Sequence, residues 1–261
     1  MLNLSTSILS ELPINVPPLL EQRKIADILG TWDTAIGTLE RLITVLQKRK
    51  RGLMQRALTG QVRFPEYQGC QWKEVRLGDV FTERRETGRI DLPLLSITSK
   101  QGVIPRDSVE RRDTSSEDKS KYLRICKGDL GYNTMRMWQG VSAVSPLEGL
   151  VSPAYTICTP RETIDISFMS YLLKFPPTIH LLWRYSQGLV DDTLSLKFAA
   201  FSRVKVTIPH LAEQRRISTV LRLCDSEIGM LERQLTALKR QKQGLMQRLL
   251  TGQVRVRVDE E

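Results

Sequence analysis

Apolar residues return at alternating steps of four and three along two long stretches of this chain. In the first, Ile25, Leu29, Trp32, Ile36, Leu39, Ile43, Leu46, Lys50, Leu53 and Ala57 form one line. In the second the line is Ile217, Leu221, Cys224, Ile228, Leu231, Leu235, Leu238, Lys242, Leu245 and Leu249. This spacing is a heptad seam and predicts two long helices. Pro17 and Pro209 suit the helix starts, and Gly60 and Gly252 suit C-terminal caps in a left-handed backbone conformation.

The two stretches are copies of each other. Residues 16–64 align without a gap to 208–256 at an offset of 192, with 27 identities in 49 positions. Weaker matches continue upstream, where Leu2, Leu4 and Ser10 meet Leu194, Leu196 and Ser202. Residues 1–16 therefore read as the tail of a further middle domain. Both seams break at the same place, Lys50 and Lys242, each followed by a mid-helix glycine, Gly52 or Gly244. Glycine there costs about 1 kcal/mol relative to alanine. Two readings stay open for these lysines. One is a snorkelling side chain at a frayed seam. The other is a loosened basic section that receives phosphate or a partner protein.

Helix length argues for the pairing. A helix over 21–58 is roughly 57 Å long at 1.5 Å per residue. The segment between the helices should be about 40 Å across. Parallel helices would require that segment to bridge the full helix length. Antiparallel helices need a connection at one end only, so an antiparallel hairpin with the middle domain at its tip is expected. Residues 61–207 differ in texture, with recurrent Gly and Pro and β-rich runs at 92–98, 150–158 and 204–208. Helices are expected near Ile166–Leu173 and Thr178–Tyr185. The predicted fold class is α+β: one mixed α/β domain plus two long helices in an antiparallel coiled coil. Its parts are a domain tail (1–16), a first helix (17–60), the middle domain (61–207), a second helix (208–252) and a C-terminal tail (253–261).

Charge changes the picture next. The chain carries a net +10 with a pI near 9.6. The first helical stretch (21–63) contributes +5, the second (213–257) +6, and residues 64–212 only +3. A basic balance of this size favours a polyanionic partner, although ordinary soluble-protein basicity would also account for it. Within the middle domain, residues 127–140 (KGDLGYNTMRMWQG) place Tyr132, Asn133, Arg136, Trp138 and Gln139 near a turn. Arg, Asn and Gln are the side chains that bond guanine and adenine edges in pairs of contacts. Met135, Met137 and Trp138 also read as core packing. A second stretch, 96–107, offers Ser99, Lys100, Gln101 and Arg106 on a polar loop, or else a solvated hairpin. A third, 184–192, offers Arg184, Tyr185 and Gln187.

Catalytic signatures are absent. There is no Walker phosphate loop, no Gly-rich dinucleotide fingerprint, and only two histidines, His180 and His210, without metal spacing. The cysteines, Cys70, Cys126, Cys158 and Cys224, are scattered without a C-x-x-C, which argues against a zinc site and suits a reducing cytoplasm. No apolar run reaches membrane-spanning length.

The residues nevertheless match a known family. P-x-L-x-E-Q-R leads into a long helix ending G-L-M-Q-R-x-L-T-G, at Pro17–Arg23 with Gly52–Gly60 and again at Pro209–Arg215 with Gly244–Gly252. With WKEVRLGDV (72–80), KGDLGYNTMRMWQG and GLVSPAYTI (149–157), these segments resemble the specificity subunit of type I restriction–modification systems. That resemblance implies that the helices are conserved spacers and that residues 61–207 form a target recognition domain. Such a domain reads one half of a bipartite double-stranded DNA target. It also implies modification subunits that methylate adenine N6 with S-adenosylmethionine, and a restriction subunit that uses ATP and Mg for translocation and cleavage. The chain itself is then a non-catalytic, host-defence recognition subunit that binds no cofactor and no metal. It departs from the pattern in holding one recognition domain where the family has two. Two associated copies would restore the pair and give a symmetric target. A coiled-coil adaptor without DNA preference is the rival reading.

Overall fold

The structure, a computed structural model, describes residues 16–98, 101–108, 118–190 and 193–257. In chain order its elements begin with α1 (Leu19–Leu58), β1 (Lys73–Arg76), the short α2 (Leu77–Val80) and β2 (Phe81–Arg84). There follow β3 (Leu95–Thr98), β4 (Gly102–Pro105), β5 (Leu123–Ile125), β6 (Leu130–Asn133), β7 (Ser142–Val144), β8 (Gly149–Val151) and β9 (Tyr155–Pro160). The chain closes with α3 (Ile166–Leu173), α4 (Pro176–Tyr185), α5 (Phe198–Phe201), β10 (Lys205–Ile208) and α6 (Leu211–Leu250). Contacts divide it into two compact units, residues 52–222 and the remainder on either side.

The described residues 16–51 and 223–257 belong to the first unit and form a coiled coil. Lys50 pairs with Asp225, Gln47 with Glu232, Glu40 with Lys239, Asp33 with Lys242 and Glu21 with Arg255. Numbers rise along one helix as they fall along the other, so the helices are antiparallel, as the length argument required. Leu39, Ile43 and Ile228 are buried at the seam, with Leu46, Leu231, Leu235 and Leu238 packed against them. Trp32 and Leu29 are half-buried, and Ile25 and Ile36 are buried. Exposed ion pairs contribute only about 0–1 kcal/mol each, so burial of the seam carries the pairing.

The seam lysines are neither frayed nor open. The Lys50 ammonium is held by Asp225, and the Lys242 ammonium lies 2.5 Å from Asp33. At the offset of 192, Asp33 maps to Asp225 and Lys50 to Lys242, so this is one contact written twice. The long aliphatic stem continues the seam while its charge meets an aspartate on the opposite helix. Helical geometry runs unbroken through Gly52 and Gly244.

The second unit is the middle domain together with the ends of both helices. Its sheets are antiparallel: a four-stranded sheet ordered β2-β9-β6-β7, and the pairs β3-β4, β5-β8 and β1-β10. The run expected at 150–158 is interrupted at Pro153, giving β8 and β9 as separate strands in different sheets. Phe81, Leu130, Tyr132, Met137, Phe168, Leu173 and Phe201 form its main core, which Ala57, Leu58, Ile217 and Leu221 join from the helix ends. Each fully buried side chain of this size contributes about 1.5–3 kcal/mol. A smaller core, Leu95, Ile97, Val103, Ile125 and Ile157, lies under the β3-β4 hairpin. Gly131 makes that packing possible, because a Cβ there would sit 2.3 Å from Ile97 Cδ1.

Candidate nucleic-acid interface

The stretch 127–140 holds the whole of β6 and the turn that leads toward β7. Asn133 shapes the turn: its Oδ1 accepts from the Met135 N–H at 3.0 Å, an Asx turn. Trp138 Nε1 donates to Met135 O at 2.9 Å. A 3-10 turn, Met137–Gln139, ends at Gly140 with φ of 76°. The apolar members divide three ways. Met137 is fully buried, Trp138 half-buried and Met135 exposed. Tyr132 lies inside the core. Arg136 and Gln139 are exposed, and Arg136 makes no ion pair among the described residues.

Two of the three candidate stretches meet. The Thr134 carbonyl accepts from Leu196 N–H at 2.8 Å, while Thr134 N–H donates to Ala154 O at 3.0 Å. Gln187 and Ser195 exchange both backbone hydrogen bonds, at 2.9 and 2.8 Å, and close a loop beside that turn. Asn133, Arg136, Trp138 and Gln139 thus share a surface with the segment holding Arg184, Tyr185 and Gln187. Arg184 and Gln187 are exposed and Tyr185 is half-buried. The loop tip adds Leu189 and Val190, both strongly exposed apolar residues that polar base-reading logic passes over.

The remaining stretch, 96–107, falls on the β3-β4 hairpin. Ser99 and Lys100 lie outside the described residues. Gln101 is exposed at the tip, and its N–H donates to Thr98 Oγ1 at 3.0 Å. Arg106 is half-buried and lines a polar hollow of about 170 Å³ with Ser96, Tyr122, Ser152 and Tyr155. Arg106 Nη1 donates to Ser96 Oγ at 3.3 Å, and Tyr155 pairs with Asn133 across β9 and β6. The hollow therefore adjoins the strand that leads into the Arg136 turn. Spacing alone did not single out Tyr122, Ser152 or Tyr155, because strand register brings them to Arg106.

Much of the domain's other basic charge is structural. Arg84 Nε lies 2.7 Å from the buried Asp129 carboxylate, which also accepts from Cys126 N–H at 2.8 Å. Arg124 bonds Glu86 at 2.7 Å and Glu148 at 2.6 Å, and Arg89 bonds Asp91 at 2.9 Å. These carboxylate bonds raise the arginines' proton affinity further, and they hold Glu86 and Asp91 below the ordinary carboxylate range. Among the described residues no cluster of His, Cys, Asp and Glu could hold a metal, and no helix is long and apolar enough to cross a membrane.

The repeated E-Q-R and G-Q-V-R motifs meet in pairs. Arg63 Nη2 lies 2.6 Å from Glu213 Oε2, and in the other unit Arg255 Nη2 lies 2.7 Å from Glu21 Oε2. Each motif's glutamate is thus clamped by the arginine of the opposite repeat. The sequence carried this signal in the coincidence of both motifs at both copies, but nothing in it said that they touch.

The family described as type I restriction modification DNA specificity domain matches residues 1–48. The type I restriction enzyme MjaVIII specificity subunit of Methanocaldococcus jannaschii is 26% identical over 96% of this chain, which spans 64% of that relative. The crystal structure of the type I restriction-modification S subunit from M. genitalium superposes with a TM-score of 0.59 at 17% identity, covering 95% of this chain and 66% of that one. The HsdS subunit from Thermoanaerobacter tengcongensis gives 0.51 at 20% identity, over 92% and 61%. The resemblance first carried by the duplicated spacer thus holds across the molecule: over nearly its whole length this chain is similar to type I restriction enzyme specificity subunits.

Proposed function

We propose that the chain is a sequence-reading subunit for double-stranded DNA, presenting one recognition domain on a spacer coil within a type I restriction–modification assembly. The observation that carries this is the shared surface of Asn133, Arg136, Trp138, Gln139, Arg184 and Gln187, held by backbone bonds around Thr134. It combines guanidinium and amide groups on turns braced by a rigid sheet, the kind of platform that reads base edges. In this reading the chain performs no chemistry. Modification subunits supply S-adenosylmethionine and adenine-N6 methylation, and a restriction subunit supplies ATP- and Mg-dependent translocation and cleavage, in the cytoplasm. A second copy of this chain, associated with the first, would bring a second recognition domain and make the target symmetric.

Mapping of methyladenine in cells carrying the chain with its modification subunits tests the reading. A new motif is expected, and Arg136→Ala should relax one of its positions, at about 1–3 kcal/mol of discrimination. An equal loss on every sequence would instead mark Arg136 as a phosphate contact. Methylation without any sequence motif would leave the adaptor reading in place.

A further inference from the structure

A guanidinium, two serine hydroxyls and two phenols converge beside the β3-β4 hairpin from four separate parts of the chain. Ser96 comes from β3, Arg106 from the turn after β4, Tyr122 from the approach to β5, and Ser152 and Tyr155 from the link into β9. With Leu94 and Leu95 they line the polar hollow of about 170 Å³. Its frame is fixed by backbone bonds. Arg106 N–H donates to Leu94 O at 2.9 Å, and Leu150 N–H donates to Pro93 O at 2.8 Å. Ser96 and Tyr122 are buried. The Lys119 ammonium lies 4.9 Å from the centre of the Tyr122 ring and puts a second cation next to this wall.

The balance of donors and acceptors selects the ligand. Ser96 Oγ accepts from Arg106 Nη1 at 3.3 Å, and Ser152 Oγ accepts from Ala154 N–H at 3.3 Å. Each hydroxyl therefore keeps its own proton to give. A guanidinium has donors alone, and the Leu94 carbonyl is already engaged by the Arg106 N–H. No carboxylate lines the hollow. A base edge offers donors and acceptors together, so its donors would go unmet here. A phosphate offers acceptors and negative charge, which this lining matches. One water needs about 10–15 Å³ of such space, so a phosphate with part of its hydration shell fits.

We propose that the hollow binds a phosphate group, held by Arg106, Ser96 and Ser152 between the Tyr122 and Tyr155 walls. Position points to the DNA backbone as its source, and this part rests on the DNA reading above. Ser152 and Tyr155 line the hollow, while Ala154 between them accepts the Thr134 N–H of the turn that carries Arg136. A phosphate seated there adjoins the base-reading surface. It sets register and orientation on the duplex without carrying sequence information. A free phosphate ester has the same chemistry and is the other source.

Two arms of one experiment separate the sources. In the first, the chain without DNA is titrated with inorganic phosphate at constant ionic strength. Saturable amide shifts are expected at 94–96, 106 and 152–155, and Arg106→Gln should abolish them. In the second, duplex affinity of the chain with its modification subunits is followed across salt concentrations. Arg106→Gln should weaken every sequence alike and lower the slope of log affinity against log salt by about 0.9, one phosphate's share. The methylated motif should stay unchanged, and Arg106→Lys should recover the slope. Saturable phosphate binding with an unchanged DNA slope assigns the hollow to a free phosphate ester. Failure of both arms overturns the proposal. So does relaxation of one motif position by Arg106→Gln, which would make Arg106 a base reader. Should Arg106→Gln misfold in thermal melts, Ser152→Ala removes one donor and no charge, and phosphate should then bind at least about threefold more weakly. Unaltered phosphate binding by that variant counts against the site. A chain that binds no duplex at any salt fails the DNA reading, and the first arm still decides the hollow.

Discussion

Ser218 and Ala26 occupy one position of the repeat, as do Gln214 and Gln22, and Leu58 and Leu250. In each pair one member is buried and the other exposed. Heptad pattern and end motifs are shared, so pattern cannot be what separates them. The difference lies in what the surrounding chain lays over each end. Closely similar local chemistry is thus a domain anchor in one place and an exposed surface in the other.

The largest contrast should come from charge placed at the paired positions. Ser218→Arg puts an unpaired guanidinium against the domain core and should cost more than about 3 kcal/mol. Ala26→Arg should stay within about 0.5 kcal/mol, as exposed substitutions do. Urea unfolding of both variants checks this, and equal losses would mean that the two ends are covered alike. Next comes the glutamine pair. Gln214→Ala leaves the Asp165 N–H without its acceptor, an expected loss of about 1–3 kcal/mol, whereas Gln22→Ala in the chain alone should be nearly silent.

The cross-helix lysines run the comparison in reverse, because there the two copies are alike. Double-mutant cycles on Lys50 with Asp225 and on Lys242 with Asp33 should give matching couplings of about 0–1 kcal/mol. Clearly unequal couplings would show that the repeat is not balanced within the coil. The smallest effect concerns pH. The Arg255 hydrogen bond holds the Glu21 carboxyl below its ordinary value of 4.5. The clamp's contribution is therefore whole above that value and is lost as pH falls through the lowered one. Glu21→Gln should remove that part of the acid sensitivity in thermal melts followed from pH 6 downward.

Legibility in the sequence tracked the range of the interactions involved. The coil was readable because its contacts repeat every turn or two and were written twice. The helices at 166–173 and 178–185 were readable from local apolar spacing, and α4 gained only its leading prolines. The 150–158 run was readable as β-rich but not as two strands, because the break at Pro153 sends its halves to different sheets. At the candidate interface, residue chemistry picked out Arg136, Gln139 and Arg184. It could not reveal that Thr134 joins two of those stretches, that Tyr155 and Ser152 reach Arg106, or that Arg84 and Arg124 are occupied by carboxylates. Those contacts span tens of residues, and no periodicity encodes them.

By itself the sequence determined two equal helices, their antiparallel pairing and the α+β class, since heptad spacing and chain length are local or global quantities read without coordinates. Only the tertiary structure decided that the seam lysines meet aspartates and that the Glu21 and Glu213 clamps close across repeats. It alone also showed that one of two matching coil ends is covered. The physical reason is common to all three. A side chain's charge, amide or apolar surface is visible in sequence, whereas the group that satisfies it is chosen by the fold.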